Sequence, residues 1–280
     1  MRVLVTGAAG MLGRDVGSAA AAAGHELTAL ARAELDVSDG AAVGTAVREA
    51  RPDAVINCAA WTDVDGAEAR IEEAYAVNGP GAGNVARAAA AAGARIVHVS
   101  TDYVFSGEKR TPYVESDPTG PESQYGRGKL AGELAVAAGA PGAHTIVRSS
   151  WLFGAGGRCF PATILRAGAE RDRLTVVDDQ VGCPTFTGHL AVALLALAQD
   201  PIEGIVHVAG TGHCSWFDFA QEIVGLTGLG CEVVAGSTAE LGRPAPRPAY
   251  SVLRTERTGA PRLPDWHEGL QAFLAAGVPS

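Results

Sequence analysis

Through the first half of the chain, short runs of consecutive apolar residues alternate with stretches whose apolar positions recur at helical spacing. Arg2-Val3-Leu4-Val5-Thr6 predicts a strand with no polar face, followed by a glycine-rich turn and a helix to about Ala23. Glu26–Leu30 predicts a second strand, and 41–50 a helix with Ser38 or Asp39 as its N-cap. Asp53–Cys58 predicts a third strand, followed by helices over 67–77 and 80–92 and a further strand over Arg95–Ser100. A long loop rich in Pro, Gly and Ser leads to a helix from about Gln124 to Ala138 and the strand Thr145–Ser149. Continuous apolar strands separated by helices are buried on both faces. That makes parallel βαβ units, hence an α/β fold with a doubly wound parallel sheet.

After Trp151 the alternation breaks down. Helices near 159–170 and 188–199 flank an extended stretch from Leu174 to Phe186, and Gly204–Val208 could return to the main sheet. A helix over 216–226, a short strand over 231–235 and a Pro-rich stretch from Arg243 to Pro248 follow. The expected organisation is a main domain over 1–152 plus about 188–212. A smaller, partly discontinuous C-terminal lobe takes about 153–187 plus 213–280. Without repeats or low-complexity linkers, the two should pack together and not swing on a tether.

A chain of 280 residues with 47% hydrophobic content can bury such a sheet without disulfide or metal staples. The net charge is −9 and no basic run occurs, so neither nucleic acid nor an anionic membrane surface is an expected partner. The five cysteines (58, 159, 183, 214 and 231) are odd in number and form no C-x-x-C pair. A disulfide framework or a thiolate zinc site is therefore not expected. Residue 2 already begins a strand with no signal region before it, and Gly, Arg and His interrupt the Ala-rich stretches. A soluble, cytoplasmic protein is the expectation.

Gly7-Ala-Ala-Gly10-Met11-Leu12-Gly13 sits between the first strand and the first helix. Glycines there allow a tight turn and let a pyrophosphate approach backbone N–H groups at the positive end of the helix. The spacing is G-x-x-G-x-x-G and not G-x-G-x-x-G, but the strand-turn-helix context marks the main domain as a Rossmann-like dinucleotide-binding domain. The end of the second strand commonly carries an acid for the adenosine ribose of NAD. Here it carries Arg32, whose guanidinium suits a 2′-phosphate, so NADPH is the expected cofactor with NADH as the alternative. Asp36 and Val37 stand where an adenine is contacted; as a plain structural residue, Asp36 would cap a helix.

Tyr125-Gly-Arg-Gly-Lys129 places a phenol and an amine at i and i+4, on one face of a helix. An ammonium beside a phenol favours phenolate and is expected to lower the tyrosine pKa toward neutrality, as suits an acid/base group. Lys109 and Lys129 are the only lysines, so this pairing is improbable by chance. Ser100 and Thr101 end the preceding strand, where a hydroxyl could polarise a substrate carbonyl.

With these motifs the sequence resembles the extended short-chain dehydrogenases/reductases, and more narrowly the dTDP-4-dehydrorhamnose reductase family. The strings that carry the narrower resemblance are Asn57-Cys-Ala-Ala-Trp-Thr-Asp-Val-Asp65, Ser100-Thr-Asp-Tyr-Val-Phe105, Asp179-Gln-Val-Gly-Cys-Pro-Thr185 and Pro244-Ala-Pro-Arg-Pro-Ala-Tyr-Ser251. It runs from residue 1 to about residue 270. It implies Tyr125 as proton donor, and Lys129 as the group that binds the nicotinamide ribose and tunes Tyr125. It implies Thr101 as the hydrogen-bond donor to the C4 ketone of a dTDP-4-keto-6-deoxy-L-hexose, reduced to dTDP-L-rhamnose or a related sugar nucleotide. Asp102, Tyr103 and Trp151 match positions that line the sugar pocket, while Ala60, Trp61 and Thr62 match a cofactor-contacting loop. The smaller lobe becomes the sugar-nucleotide-binding lobe, and a homodimer is plausible although no exposed apolar face is legible.

Two departures stand out. The residue before Lys129 is Gly128, where the family usually has Ser, at a cost of up to about 1 kcal/mol in helix propensity. Some members hold a divalent metal at a dimer interface through acidic side chains. Asp15 matches one such position, but Phe186, Thr187, Gly188 and His189 offer no second acid, so no metal is expected. A sugar-nucleotide 4,6-dehydratase would need Thr-Asp-Glu where this chain has Thr101-Asp102-Tyr103. A 4-epimerase usually carries a small residue at Asp102. A deoxysugar or streptose 4-ketoreductase of an antibiotic pathway would use nearly the same site. The regulatory subunit of methionine adenosyltransferase resembles these reductases too, but a scaffold need not keep Thr101, Tyr125 and Lys129 together.

Overall fold

The computed structural model describes residues 1–277. From the N-terminus the chain forms β1 (Arg2–Thr6), α1 (Met11–Ala22), β2 (Glu26–Leu30), α2 (Gly40–Ala50), β3 (Ala54–Asn57), α3 (Val64–Ala69) and α4 (Ile71–Ala76). A π-helical turn, Val77–Gly81, leads into α5 (Ala82–Ala91), β4 (Arg95–Thr101), a 3₁₀ turn (Asp102–Val104), α6 (Gln124–Gly139) and β5 (His144–Ser149). Next come β6 (Leu152–Phe153), α7 (Phe160–Glu170), β7 (Arg173–Val177), β8 (Val181–Gly182), β9 (Thr185–Phe186), α8 (Thr187–Gln199) and β10 (Gly204–His207). The C-terminal part adds β11 (Cys214–Ser215), α9 (Trp216–Thr227), β12 (Glu232–Gly236), α10 (Thr238–Leu241) and α11 (Trp266–Ala275).

Six parallel strands form the main sheet in the order β10-β5-β4-β3-β1-β2. Strands parallel to one another end on one edge, so the loops after β1, β2, β3, β4 and β5 meet there. The order reverses between β1 and β3, the switch point outside which α/β sheets leave a crevice for ligands. One face is covered by α1 and α8 over Val3, Val5, Ile56, Val97 and Val147. The other is covered by α2, α5 and α6 over Leu4, Val55, Ile96 and Ile146. Alternate residues of each strand thus supply both cores, which is why these strands read as continuous apolar runs.

Beyond β5 a separate core forms around Phe153, Phe219, Trp266, Leu270 and Phe273. The parallel pair β7–β12, with Arg173 opposite Glu232, packs against α7 and α9. The extended stretch Leu174–Phe186 is not one strand. It is divided among β7, β8 and β9, each paired with a different partner (β12, β11 and β6). Gly204–His207 does return to the main sheet, beside β5.

The helix boundaries differ from the pattern in informative ways. Asp39, not Ser38, caps α2, its carboxylate accepting from the N–H groups of Ala41 and Ala42. The two helices expected over 67–77 and 80–92 are α3, α4 and α5, joined through the π turn with Pro80 inside it. Gly79-Pro80-Gly81 reads as a break, yet the backbone passes through it without leaving the helical path, as π insertions allow. The helix α6 lies hard against this turn: a Cβ on Gly132 would meet the Asn78 carbonyl oxygen at 2.1 Å. α10 and α11 lie where no helix is expected. The signal for α11 is nonetheless present, in the Asp265 N-cap and in Trp266, Leu270 and Phe273 on one face.

Candidate active site

A cavity of about 800 Å³ opens at the C-terminal edge of the main sheet. Every site residue singled out from the sequence lines it. They arrive from six separate segments, and the sheet topology alone brings them together.

At one end lies the glycine turn, with Gly7, Gly10, Met11, Leu12 and Gly13 on the wall. Gly7 holds a left-handed φ of +67°, and a Cβ there would meet the Ala59 backbone at 2.7 Å. A Cβ on Gly13 would come within 2.3 Å of the Gly7 carbonyl oxygen. The N-cap of α1 is Gly10, with no side chain to cap the helix and no acid in the first turn. Free N–H groups and the helix dipole therefore face the cavity, a donor set that fits a pyrophosphate.

Arg32, Asp36 and Val37 border the same end. Arg32 is exposed at the rim and pairs with no carboxylate among the described residues. Asp36 turns one oxygen onto the backbone N–H and hydroxyl of Ser38, which hold its carboxyl below the usual range. Ala60, Trp61 and Thr62 form the opposite wall. Asn78, which sequence reasoning missed, clamps that wall: its Oδ1 accepts from Trp61 N at 2.8 Å and its Nδ2 donates to Trp61 O at 3.0 Å. Asn78 sits in the π turn, and an irregular helix turn at a cavity is the signal that could have found it.

Ser123 caps α6, its hydroxyl accepting from Gly126 N at 3.1 Å, and so fixes where the helix presents Tyr125 and Lys129. Tyr125 meets Tyr103 edge to face, with ring centroids 5.5 Å apart. The Lys129 ammonium donates to the Val99 carbonyl at 2.6 Å, and burial lowers it to about 8. The expected lowering of the tyrosine is corrected by the structure: burial pushes Tyr125 up to about 12, against the opposing influence of the Thr101 hydroxyl. The phenol is thus held protonated, the form a proton donor needs.

The Thr101 hydroxyl donates to Asp102 Oδ1 at 3.0 Å and accepts from Tyr103 N at 3.2 Å. Asp102 is buried, its Oδ2 has no partner, and burial raises its carboxyl to about 6. Ser149, opposite Thr101 across β4 and β5, is also buried on the cavity wall with an unpartnered hydroxyl. Buried polar atoms without partners are uncommon, and both of these belong to residues that line the cavity.

Trp151 lies on the far wall with φ +47°, a left-handed conformation unusual for an aromatic residue. Its indole is stacked on Trp216, a second missed residue of the same wall. Trp216 Nε1 donates to Gln180 Oε1 at 3.1 Å, and a Cβ on Gly182 would strike the Trp151 indole at 2.4 Å. The Asp179–Thr185 string therefore supports the tryptophan pair. Asp65, from the Asn57–Asp65 string, takes a bidentate pair from Arg247 at 2.9 and 3.0 Å and ties the Pro-rich segment to α3. Asp15 Oδ2 is buried without a partner, but among the described residues no three His, Cys, Asp or Glu side chains gather to hold a metal.

Comparison with known proteins places these features in a family. The profile of the "RmlD substrate binding domain" matches residues 1–278. The chain is 46% identical to a dTDP-4-dehydrorhamnose reductase of Mycolicibacterium smegmatis, covering 99% of this chain and 86% of that one. It is 44% identical to a probable dTDP-4,6-dihydroxy-2-methyloxan-3-one 4-ketoreductase of Streptomyces antibioticus, covering 100% and 98%. A dTDP-4-dehydrorhamnose reductase of Bacillus anthracis, solved in complex with NADP, superposes with a TM-score of 0.95 at 38% identity over 98% and 99% of the two chains.

Proposed function

The chain belongs to the RmlD substrate binding domain family, and from that premise we propose that it is a nicotinamide-dependent reductase of a dTDP-4-keto-6-deoxy-L-hexose. The reaction assigned is reduction of the C4 ketone of dTDP-4-dehydro-L-rhamnose to dTDP-L-rhamnose. The observation that carries it is that the glycine turn, Thr101, Tyr125 and Lys129 open into one cavity.

The turn from Gly7 to Gly13 holds the cofactor pyrophosphate, and Asp36, Val37 and Ala60–Thr62 enclose its adenine and ribose. Arg32 holds a 2′-phosphate, so NADPH is preferred over NADH; its exposed and unpaired guanidinium supports this. When bound, the nicotinamide supplies hydride. Lys129 binds its ribose and Thr101 hydrogen-bonds the ketone oxygen. Tyr125 gives its proton to that oxygen as charge develops there, for which its held phenol form is suited. Asp102 and Tyr103 receive sugar hydroxyls, and the Trp151 indole covers a sugar face.

We assign residues 1–152 plus about 188–212 to cofactor binding. The second core, over about 153–187 plus 213–280, is assigned to the sugar nucleotide. Among the described residues no helix is long and apolar enough to cross a membrane. The cytoplasm is assigned as the place of action on the strength of the proposed biosynthetic reaction. A 4-ketoreductase of another dTDP-deoxysugar is the second reading, favoured by the near-equal identity to the S. antibioticus relative. The test is NADPH consumption with each keto-sugar offered separately. Turnover of the rhamnose precursor supports the first reading, and turnover of another 4-keto sugar alone supports the second.

A further inference from the structure

Beneath the cavity floor lies an ion cluster for which the reaction above has no use. Glu133 follows Lys129 by one helical turn, as Lys129 follows Tyr125, so the three share a face of α6. Glu133 is 3% exposed and Lys129 2%. Both Glu133 oxygens are engaged: Oε1 accepts from Ser100 Oγ at 2.5 Å and Arg148 Nε at 2.8 Å, and Oε2 from Arg148 Nη2 at 2.7 Å. Ser100 precedes Thr101 on β4, and Arg148 stands opposite Ser100 on β5.

A buried ammonium needs an anion or it sheds its proton. The groups that face Lys129 are few. Tyr125 and Glu133 lie on its own helix, Cys58 at the end of β3, and His98, Ser100 and the Val99 carbonyl on β4, with Arg148 of β5 behind Glu133. Burial keeps Cys58 a thiol, raised to about 12, and holds His98 neutral, well below its usual value. Tyr125 is held as the phenol. The Glu133 carboxylate is what remains to balance Lys129.

We propose that Glu133 is a positioning residue: its carboxylate, fixed by Arg148 and Ser100, keeps Lys129 an ammonium under the cofactor site and ties the Thr101 end of β4 to the helix that carries Tyr125. The functional part of this assignment rests on the role given to Lys129 above; the electrostatic part does not. Arg148 orients the carboxylate and also dilutes its field at Lys129.

The test uses the rarity of lysine in the full-length chain. Labelling with [ε-13C]lysine gives two side-chain signals, from Lys109 and Lys129, and a Lys109→Arg variant assigns them. Their chemical shifts are followed against pH by NMR. Lys129 in the unaltered protein is expected to titrate near 8. Glu133→Gln is expected to lower that midpoint by about one pH unit or more, tenfold in the acid constant. Arg148→Gln, which leaves the carboxylate without its cation, is expected to move it the other way. A cluster that merely holds the fold together leaves the Lys129 midpoint of the folded variants unchanged. That result, or a shift of the same sign in both variants, overturns the proposal. No substrate is needed for this readout, so a failure to turn over any keto-sugar would count against the reductase reading alone.

Discussion

Trp151 and Trp216 lie face to face in the cavity wall, ring centroids 3.5 Å apart and planes 3° from parallel. The pair joins the loop after β5 to the first residue of α9, so it closes the wall between the two cores. Trp216 is held from behind by Gln180 and by Phe160, whose ring is 4.5 Å away. Trp216→Ala is expected to raise KM for the sugar nucleotide about 3- to 10-fold, the measure of an aromatic pair worth roughly 0.5–1.5 kcal/mol. Little change is expected in kcat or in NADPH affinity. Stacked indoles couple their transitions, so the variant should also lose an exciton signal in circular dichroism. An unchanged spectrum would show that the stack does not form in solution.

Asp102 links the cavity to stability. Burial raises its carboxyl from the ordinary 3.8 to about 6, so in the folded protein it resists ionisation. Between those values the unfolded chain has lost its proton and the folded chain has not, so stability falls as pH rises from about 4 to 6 and levels off above. Asp102→Asn removes this titration. Its stability relative to the parent should rise across that window by about 2 kcal/mol, checked by urea unfolding at several pH values. A difference independent of pH would contradict the assignment. Activity should fall, since the amide cannot accept at both positions.

Three glycines separate necessity from chance. Gly13→Ala places a methyl 2.3 Å from the Gly7 carbonyl oxygen and should weaken NADPH binding at least tenfold by distorting the pyrophosphate turn. Gly132→Ala meets the Asn78 carbonyl oxygen at 2.1 Å and should destabilise the fold by about 2 kcal/mol or more. Gly128→Ser finds its nearest neighbour, Asn78 Cβ, at 3.4 Å, an ordinary contact. It should be neutral or stabilising, by no more than about 1 kcal/mol, through helix propensity. Thermal unfolding of the latter two and fluorescence titration of the first check all three.

Among the described residues the Arg32 guanidinium, exposed at the rim, forms no salt bridge, although the Asp36 carboxylate feels its charge. If Arg32 holds a 2′-phosphate as proposed, the parent prefers NADPH over NADH, and Arg32→Ala should reduce that preference roughly 10- to 100-fold, a loss of about 1.5–3 kcal/mol for a charge-assisted contact. The ratio of kcat/KM for the two cofactors reads this directly. Equal loss with both would place Arg32 elsewhere in the binding of the dinucleotide.

Most of the sheet was legible because its inner strands are buried on both faces and read as apolar runs, Val3-Leu4-Val5 being the plainest case, while the edge strand β2 is only partly covered. Tyr125 and Lys129 were legible because both lie on one helix, where spacing alone determines the face. Trp216 and Asn78 were not, because each bears on the site through a tertiary contact with a segment distant in sequence, Trp216 by stacking on Trp151 and Asn78 by bonding the Trp61 backbone. Lys129 shows a subtler limit. Its spacing from Tyr125 was readable, but its bond to the Val99 carbonyl and the burial that raises Tyr125 belong to the packed state. Glu133 sits in the same helical register and drew no attention, since its partners Ser100 and Arg148 lie on two different strands.

Tyr125 is proposed to give its proton to a C4 ketone in this cavity. The direct measurement follows nicotinamide absorbance with NADPH and dTDP-4-keto-6-deoxyglucose in the presence of a 3,5-epimerase, with the product identified by NMR, for the parent protein and Tyr125→Phe. The expected result is stoichiometric NADPH loss giving dTDP-L-rhamnose, a kcat lowered by about 10²- to 10⁴-fold in the variant, and NADPH affinity nearly unchanged. Turnover by Tyr125→Phe at the parental rate, or tight NADPH binding by the parent with no reduction of any keto-sugar, would contradict it.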